Sequence, residues 1–345
     1  MRQRVKKIKL NKLLLRVAAI ADKAGVEAFL VGGAVRDALA GKKNYDLDIM
    51  SEKNPEALVR PVAKLIKGRV KSYPRFGTFC VETPKGLRID FATARKEVYE
   101  RPGALPKVSF SDIESDAARR DFTVNALALR LNGMRRGAVI DYYSGQRDLK
   151  NGVLRILHSG SFRDDPTRIF RLARFASRGF RIDRLTGKAA RAGARFLRRV
   201  SVERRSAELM LMMGEKNPYG ALQTFKELGA ADIALPGLDI SERLAGLEKK
   251  KTPDQRFAAL FAEKDKAARL ALYRELRFPR KLQNGIERCL APKAGKAALN
   301  GYDLIKMGYR QGPVFKKILL SLAAKRIRSR RAAKKYVFDN FPQKI

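Results

Sequence analysis

The sequence predicts an α+β fold, with a mixed sheet-and-helix head over residues 1–150 followed by a remainder made only of helices. Three observations carry this. Short apolar or alternating runs, broken by glycine, fill the first 150 residues. Beyond Phe162 long amphipathic stretches take over, and no strand-like alternation persists. The charge is extreme: 75 Lys and Arg against 35 Asp and Glu give a formal net charge of +40 over 345 residues.

The elements follow in order. Leu13, Leu14, Val17, Ile20 and Ala21 recur at helical spacing, so Leu10 to Ala24 reads as an amphipathic opening helix. Glu27 to Val31 is a short strand, broken by Gly32-Gly33, and Ala34 to Ala40 is a helix. Asp46 to Met50, Phe79 to Glu82 and Leu87 to Phe91 alternate as strands of one sheet. The Pro- and Gly-bearing text from Thr93 to Ser111 reads as a loop, Asp116 to Leu131 as helix or strand, and Gly137 to Tyr143 as a further apolar run. Afterwards the breaks fall at Gly214 to Pro218, Leu235 to Gly237, Phe278 to Arg280 and Gly312-Pro313.

Composition narrows the function. A field of +40 serves no purpose with small neutral metabolites, whereas a polyanion releases counterions at each neutralised phosphate. The two cysteines, Cys80 and Cys289, and the single histidine, His158, exclude a disulfide framework and a Cys/His zinc site. His158 closes an apolar run from Val153, where a strand-end or packing role is expected. No run of 18 apolar residues occurs, and the basic stretch Met1 to Leu10 lacks a following cleavage site, so a cytoplasmic protein is expected.

Four segments carry chemistry. In Phe29-Leu30-Val31-Gly32-Gly33-Ala34-Val35-Arg36-Asp37 a strand runs through Gly-Gly into a helix. Glycine lets an anion approach the backbone N–H groups, and Arg36 adds a fork of donors. In Asp46-Leu47-Asp48 a period of two puts both carboxylates on one face, a repulsive pair that asks for a hard cation such as Mg²⁺. Two such ions would clamp an attacking hydroxyl and a leaving pyrophosphate, and Asp90 is a possible third carboxylate. Arg119 and Arg120 in Arg119-Arg120-Asp121-Phe122-Thr123-Val124-Asn125-Ala126 can face a triphosphate or pair with Asp37 and Asp121. In Asp164-Asp165-Pro166-Thr167-Arg168, continuing to Arg171 and Arg174, the three arginines spread over an arc of about 120° on an open side of a packed helix. Asp165 and Arg168 could read the pairing edge of a base, although Asp165 before Pro166 is also a good helix cap.

Read in order, these segments resemble the class II tRNA nucleotidyltransferase and poly(A) polymerase family. Phe76-Gly77-Thr78 and Asp148-Leu149 add to the match, which spans about Phe29 to Phe180, and Leu299 to Leu304 with Gly308 and Gly312-Pro313 is similar to a weaker helical pattern. The one departure is Asp164 where Glu is commoner. The resemblance implies a polymerase-beta-like head (1–150), a nucleotide-selecting neck (151–215), a body (216–295) and a basic tail (296–345) in a seahorse-like arrangement. It implies Asp46 and Asp48 as catalytic metal ligands for Mg²⁺. Gly33, Arg36 and Arg120 would contact the nucleotide, Asp165 and Arg168 would template C or A, and Arg171 and Arg174 would support that site. The implied reaction is addition of C, C and A to the 3′ end of tRNA from CTP and ATP. Addition of A alone and poly(A) synthesis are the alternatives within the family, and a non-catalytic RNA-binding protein is the distant one. CC-only members have a shortened loop between the second and third motifs, whereas Arg95 to Pro106 looks full length here. The tail cations Lys325, Arg326, Arg328, Arg330, Arg331, Lys334 and Lys335 are expected to bind tRNA.

Overall fold

The computed structural model describes residues 8–42, 46–73, 77–291, 298–325, 327 and 329–342, so Phe76, Arg326 and Arg328 of the motifs above lie outside it. The chain forms two compact units, residues 1–279 and 280–345.

The first unit opens with α1 (Lys12–Ala24), capped by Asn11 and ended by Gly25 in the left-handed region. β1 (Phe29–Val31), α2 (Gly33–Leu39), β2 (Asp46–Ser51), α3 (Glu56–Ile66), β3 (Arg69–Tyr73), β4 (Thr78–Glu82) and β5 (Arg88–Thr93) follow. Then come β6 (Arg95–Val98), β7 (Lys107–Phe110), α4 (Ile113–Ala118), β8 (Leu127–Arg130), β9 (Val139–Asp141) and α5 (Gly145–Lys150). Seven strands form one sheet in the order β3-β4-β5-β2-β1-β8-β9, in which β2 and β5 are parallel and the other pairs antiparallel.

Side-chain alternation gives this sheet two different faces. Leu30, Leu47, Ile49, Phe79, Val81, Ile89 and Phe91 point into the main core, which α1 and α3 cover with Leu14, Val17, Leu58 and Val62. Phe29, Val31 and Met50 belong to a smaller cluster on the opposite face. By the same parity, Asp46 and Asp48 share the face of Met50. Asp90, opposite Asp48 in the β2–β5 register, joins them there.

Two sequence expectations need correction. The stretch read as a loop from Thr93 to Ser111 contains the β6–β7 hairpin, Arg95 opposite Phe110 and Val98 opposite Lys107. Neither strand has a buried face, so the hydrophobic alternation that announces a strand is missing. A second strand pair also forms beyond the head, where only helices were expected: β10 (Val153–Leu154) lies parallel to β11 (Arg181–Ile182). Two further elements were not among those expected: α3, which runs through Pro61 although Leu58, Val59, Val62 and Ala63 recur at helical spacing, and β3, an edge strand exposed along its length.

Helices α6 (Ser161–Asp164), α7 (Arg168–Ala176), α8 (Arg184–Gly193), α9 (Val202–Met213), α10 (Pro218–Glu227), α11 (Ala231–Ala234), α12 (Pro253–Leu260) and α13 (Lys266–Glu275) complete the first unit. α7 buries Ile169, Phe170, Leu172 and Ala173, with the Phe170 ring 4.3 Å from that of Phe225 of α10 and tilted 32° to it. Phe257, Phe261, Tyr273 and Phe278 form an aromatic cluster further on. Cys80 is buried, Cys289 exposed, and both are free thiols. His158 is exposed just beyond β10, so the packing role expected of it is not seen; partial desolvation and the Arg168 charge hold its pKa low.

The second unit opens with α14 (Arg280–Leu290), and α15 (Gly301–Lys306), α16 (Pro313–Ala324) and α17 (Arg330–Asn340) gather around Leu299, Leu304, Ile318, Leu322, Ala333 and Val337. Asn300 and Asp303 cap α15 reciprocally, at 3.0 and 2.8 Å, and Arg330 pairs with Asp303. Pro313 occupies the first turn of α16. No helix among the described residues is long and apolar enough to cross a membrane.

Candidate active site

A cleft of about 730 Å³ lies over the sheet face that carries the carboxylates. Its lining includes Gly32, Gly33, Arg36, Asp48, Asp90, Arg120, Asp165, Arg168 and Arg171, so four segments far apart in sequence converge on one space. Neither Arg174 nor Asp46 lines it.

Gly32 sits at φ +66°, a conformation that favours glycine. A Cβ there would stand 2.6 Å from Arg120 Nη1 and 3.9 Å from Asp48 Oδ2. The missing side chain is therefore what lets a guanidinium lie across the turn beside the β2 carboxylate. We expect Gly32→Ala to cost about 1–3 kcal/mol of stability and to swing Arg120 out of the cleft. Thermal unfolding and nucleotide affinity of the variant check both effects; wild-type values for both would show that the turn has room.

The two arginines of the third motif resolve differently from the sequence expectation. Neither pairs with Asp37 or Asp121. Asp116, buried in α4, takes Arg119 through Oδ1, at 2.9 and 2.6 Å, and Arg120 through Oδ2, at 3.2 and 2.8 Å. Burial works to raise its pKa, but Arg120 and Arg119 outweigh that and hold the carboxyl below the usual range. Glu97 on β6 accepts from Arg119 at 3.1 Å and from Arg95 at 2.9 Å. Tyr99 donates to the same carboxylate at 2.9 Å, and burial followed by the Glu97 charge pushes its phenol well up.

A second chain of contacts links the first motif to α7. Arg36 donates to Asp37 Oδ1 and, at 2.6 Å, to Asn125 Oδ1, while its guanidinium lies 5.1 Å over the Phe175 ring. Asn125 donates to Asp121 at 2.9 Å, and Asp121 accepts from Arg171 at 2.7 Å. Asp121 is held low: Arg171 and the Asn125 amide overcome its burial. Thr123 donates to the buried Asp148 at 2.8 Å, which also accepts from Arg155 at 3.1 Å. The Asp148-Leu149 motif thus clamps the third motif from below.

The arginines of α7 do not share one open side, as their angular spread suggested. Arg168 is buried, giving Nη1 to Ser161 Oγ at 2.6 Å and Nη2 to the Arg119 carbonyl at 2.5 Å. Arg174 turns to Glu208 and Glu215, at 3.2 and 2.9 Å. An angular wheel places side chains around a helix but says nothing of what neighbours stand there. Asp165 is not the N-cap of α7, which is Thr167, but it fixes the turn leading into that helix: its Oδ1 accepts from Thr167 N at 3.1 Å and Thr167 Oγ1 at 2.7 Å, and from Arg204 Nη2 at 2.8 Å. Among the described residues no donor reaches its Oδ2. Arg204 and Glu208 of α9 line the cleft too, and sequence reasoning missed both. Their spacing of four on a helix was the available signal.

Asp46 and Asp48 are solvent-exposed, alternating with buried Leu47 and Ile49. Asp48 has its pKa raised, by partial desolvation first and by the Asp90 and Asp46 charges, against the opposing Arg120. The anionic form is disfavoured by its surroundings, which is the condition a divalent cation relieves. Asp90 is engaged by Arg88 at 2.8 Å. No group of three or more His, Cys, Asp or Glu among the described residues is arranged to hold a metal, so a cation here would draw its other ligands from elsewhere.

Residues 28–155 match the poly A polymerase head domain, and residues 179–241 match a probable RNA- and SrmB-binding region of polymerase A. An A-adding tRNA nucleotidyltransferase of Halalkalibacterium halodurans is 39% identical over 68% of this chain and 56% of its own length. One of Geobacter sulfurreducens is 39% identical over 66% of this chain and 26% of its own. The chain thus spans from about a quarter to just over half of these curated relatives. Among solved structures, a CCA-adding enzyme in an apo form superposes with a TM-score of 0.75 at 25% identity, over 98% of this chain and 100% of its own. Two family regions that together span more than half of the sequence, the first carrying the first three cleft motifs and the fourth motif falling between them, show that this chain belongs to the tRNA nucleotidyltransferase and poly(A) polymerase family.

Proposed function

We propose that this protein adds nucleotides to the 3′ end of tRNA without a nucleic-acid template, drawing on CTP and ATP to build C, C and A. The observation that supports this best is the convergence of Asp48, the Gly32–Gly33 turn, Arg36, Arg120, Asp165 and Arg168 on one cleft. In the reaction the tRNA 3′ oxygen bonds to the α-phosphorus, the bond to the bridging oxygen breaks, and pyrophosphate leaves. Asp46 and Asp48 would hold divalent cations, taken to be Mg²⁺, which would supply stabilisation of the negative charge that develops during the transfer. Arg36 and Arg120, each fixed by acceptors at their rear, present their remaining donors to the triphosphate. Gly33 keeps the approach to the turn clear. Arg171 and Arg174 hold α7 against Asp121, Glu208 and Glu215 and act as supports.

Base choice falls to Asp165 and Arg168. Asp165 Oδ2 accepts from the exocyclic amino group that C and A share, and a donor of Arg168 reaches the adjacent ring nitrogen. U and G present a carbonyl and a ring N–H at those places, and each unmatched polar group costs about 1–3 kcal/mol. Asp165→Asn is expected to admit UTP or GTP while still holding the turn. Competition of all four nucleotides on tRNA ending before CCA reads this out, and unchanged selectivity at normal activity would reduce Asp165 to a support of that turn.

A second reading, addition of the terminal A alone, is favoured by one observation: relatives at 39% identity are A-adding enzymes. Incubation with tRNAs ending before CCA, after C and after CC separates the two. Incorporation only after CC establishes the A-adding reading.

A further inference from the structure

Arg204 stands where its own helix disfavours it. Ser201 caps α9, accepting from Arg204 N at 3.4 Å, so Arg204 lies in the first turn. The helix dipole and the free N–H groups favour an acid there, as Glu203 provides, and a guanidinium gains nothing from the helix. Its partners are tertiary. Nη2 donates to Asp165 Oδ1 at 2.8 Å, and Nη1 donates to the Gly103 carbonyl at 3.2 Å, in the segment that joins β6 to β7. Gly103 in turn donates its N–H to the Asp164 carbonyl at 3.3 Å. It holds φ +75°, and a Cβ there would stand 3.3 Å from the backbone of Arg199, so glycine lets the segment lie close against the turn before α9. One planar fork, which a lysine could not supply, therefore joins two segments that lie 39 and 101 residues away in sequence.

We propose that Arg204 is a positioning residue for base selection, acting through Asp165. The proposal rests on the reading that Asp165 selects the base. Thr167 and Arg204 together place three donors on Oδ1 and leave Oδ2, to which no described residue donates, as the acceptor for the base. Thr167 follows two residues on, so its contacts travel with the turn. Arg204 is the donor that fixes the carboxylate against a different helix. A carboxylate free to turn would accept from the ring N–H of U or G as readily as from the amino group of C or A. Loss of Arg204 therefore removes selectivity before it removes rate at saturating nucleotide. Asp48 on β2, Arg36 on α2 and Arg120 beyond α4 stand on other elements and keep their places.

The test measures kcat and KM for all four nucleotides, on tRNA ending before CCA and on tRNA ending in CC. With both substrates, the outcome is independent of whether the chain adds C, C and A or A alone. Arg204→Gln should lower the kcat/KM preference for CTP over UTP, or for ATP over GTP, by about tenfold or more. The kcat with saturating CTP or ATP should stay within about threefold of wild type, the change falling on KM. Asp165→Asn combined with Arg204→Gln should be no less selective than Asp165→Asn alone, because residues that act as a unit are not additive. Additive losses in the double variant would overturn the proposal, as would an Arg204→Gln protein that slows all four nucleotides alike. The two readings fail apart. A relaxed Asp165→Asn beside a selective Arg204→Gln overturns only the role of Arg204. Unchanged selectivity in Asp165→Asn removes base reading by Asp165 itself, and the role of Arg204 with it. Should Arg204→Gln melt well below wild type, Arg204→Lys, which keeps the charge without the fork, is judged by the same criteria.

Discussion

Asp48→Ala is expected to abolish nucleotide transfer, by about 10³-fold or more, while leaving the fold intact. The carboxylate is exposed on β2 opposite Asp90 and supports no core residue. Its raised pKa means that its ionised form is less favourable here than in the unfolded chain. Removing it therefore relieves like-charge repulsion with Asp46 and Asp90 and takes no stability away. In the reaction the same charge is indispensable, because a cation-holding carboxylate contributes several kcal/mol to the barrier, and each 1.36 kcal/mol is about tenfold in rate. Asp46→Ala should behave in the same direction. Incorporation of labelled nucleotide into tRNA, beside thermal unfolding in the presence of a chelator, measures both halves. Ordinary turnover by the Asp48→Ala protein would end the two-carboxylate assignment; a collapsed melting temperature would mean that the residue is structural.

Asp116→Ala should have the largest effect on stability. One buried carboxylate receives a fork of hydrogen bonds from each of two adjacent arginines. Deleting it leaves both guanidiniums without their acceptor, and breaking a buried pair from one side costs about 3–5 kcal/mol. Arg120, released from α4, would no longer lie across Gly32, so triphosphate affinity should fall as well. The pH dependence has a defined sign. Asp116 and Asp121 titrate lower in the folded chain than in the unfolded one, so their contribution is fully present above the unfolded carboxylate value of about 4. It is lost as pH falls through the folded values. Asp116→Asn, which keeps the shape without the charge, should therefore show a flatter acid limb than wild type between about pH 5 and pH 2. Parallel acid limbs for the two proteins would place the titrating group elsewhere.

Much of this was legible before any coordinates. The period-two alternation of Asp46-Leu47-Asp48 fixed which residues face the chemistry, because a strand can bury Leu47 only by turning both carboxylates the other way. The Gly32-Gly33 break marked the turn beside them, and its need for glycine follows from a positive φ. The apolar spacing of α7 marked a packed helix, now seen with Ile169, Phe170, Leu172 and Ala173 buried. The β6–β7 hairpin was not legible, since β7 is exposed throughout and the less exposed face of β6 carries Arg95 and Glu97, so neither strand leaves an apolar period.

The sequence by itself determined the order of the motifs, the α+β head before a helical remainder, the two carboxylates of β2 and the basic character of the surface. Only the tertiary structure decided the pairings. Asp116 rather than Asp37 or Asp121 takes Arg119 and Arg120, Asp121 takes Arg171, Glu208 and Glu215 take Arg174, and Arg204 reaches Asp165 across 39 residues. The physical reason is the range of the interactions. Alternation and helical period are set by backbone geometry within a few residues, so local sequence reveals them. With 75 cations competing for 35 carboxylates, a given arginine's partner depends on which elements the fold brings within about 3 Å and shields from water.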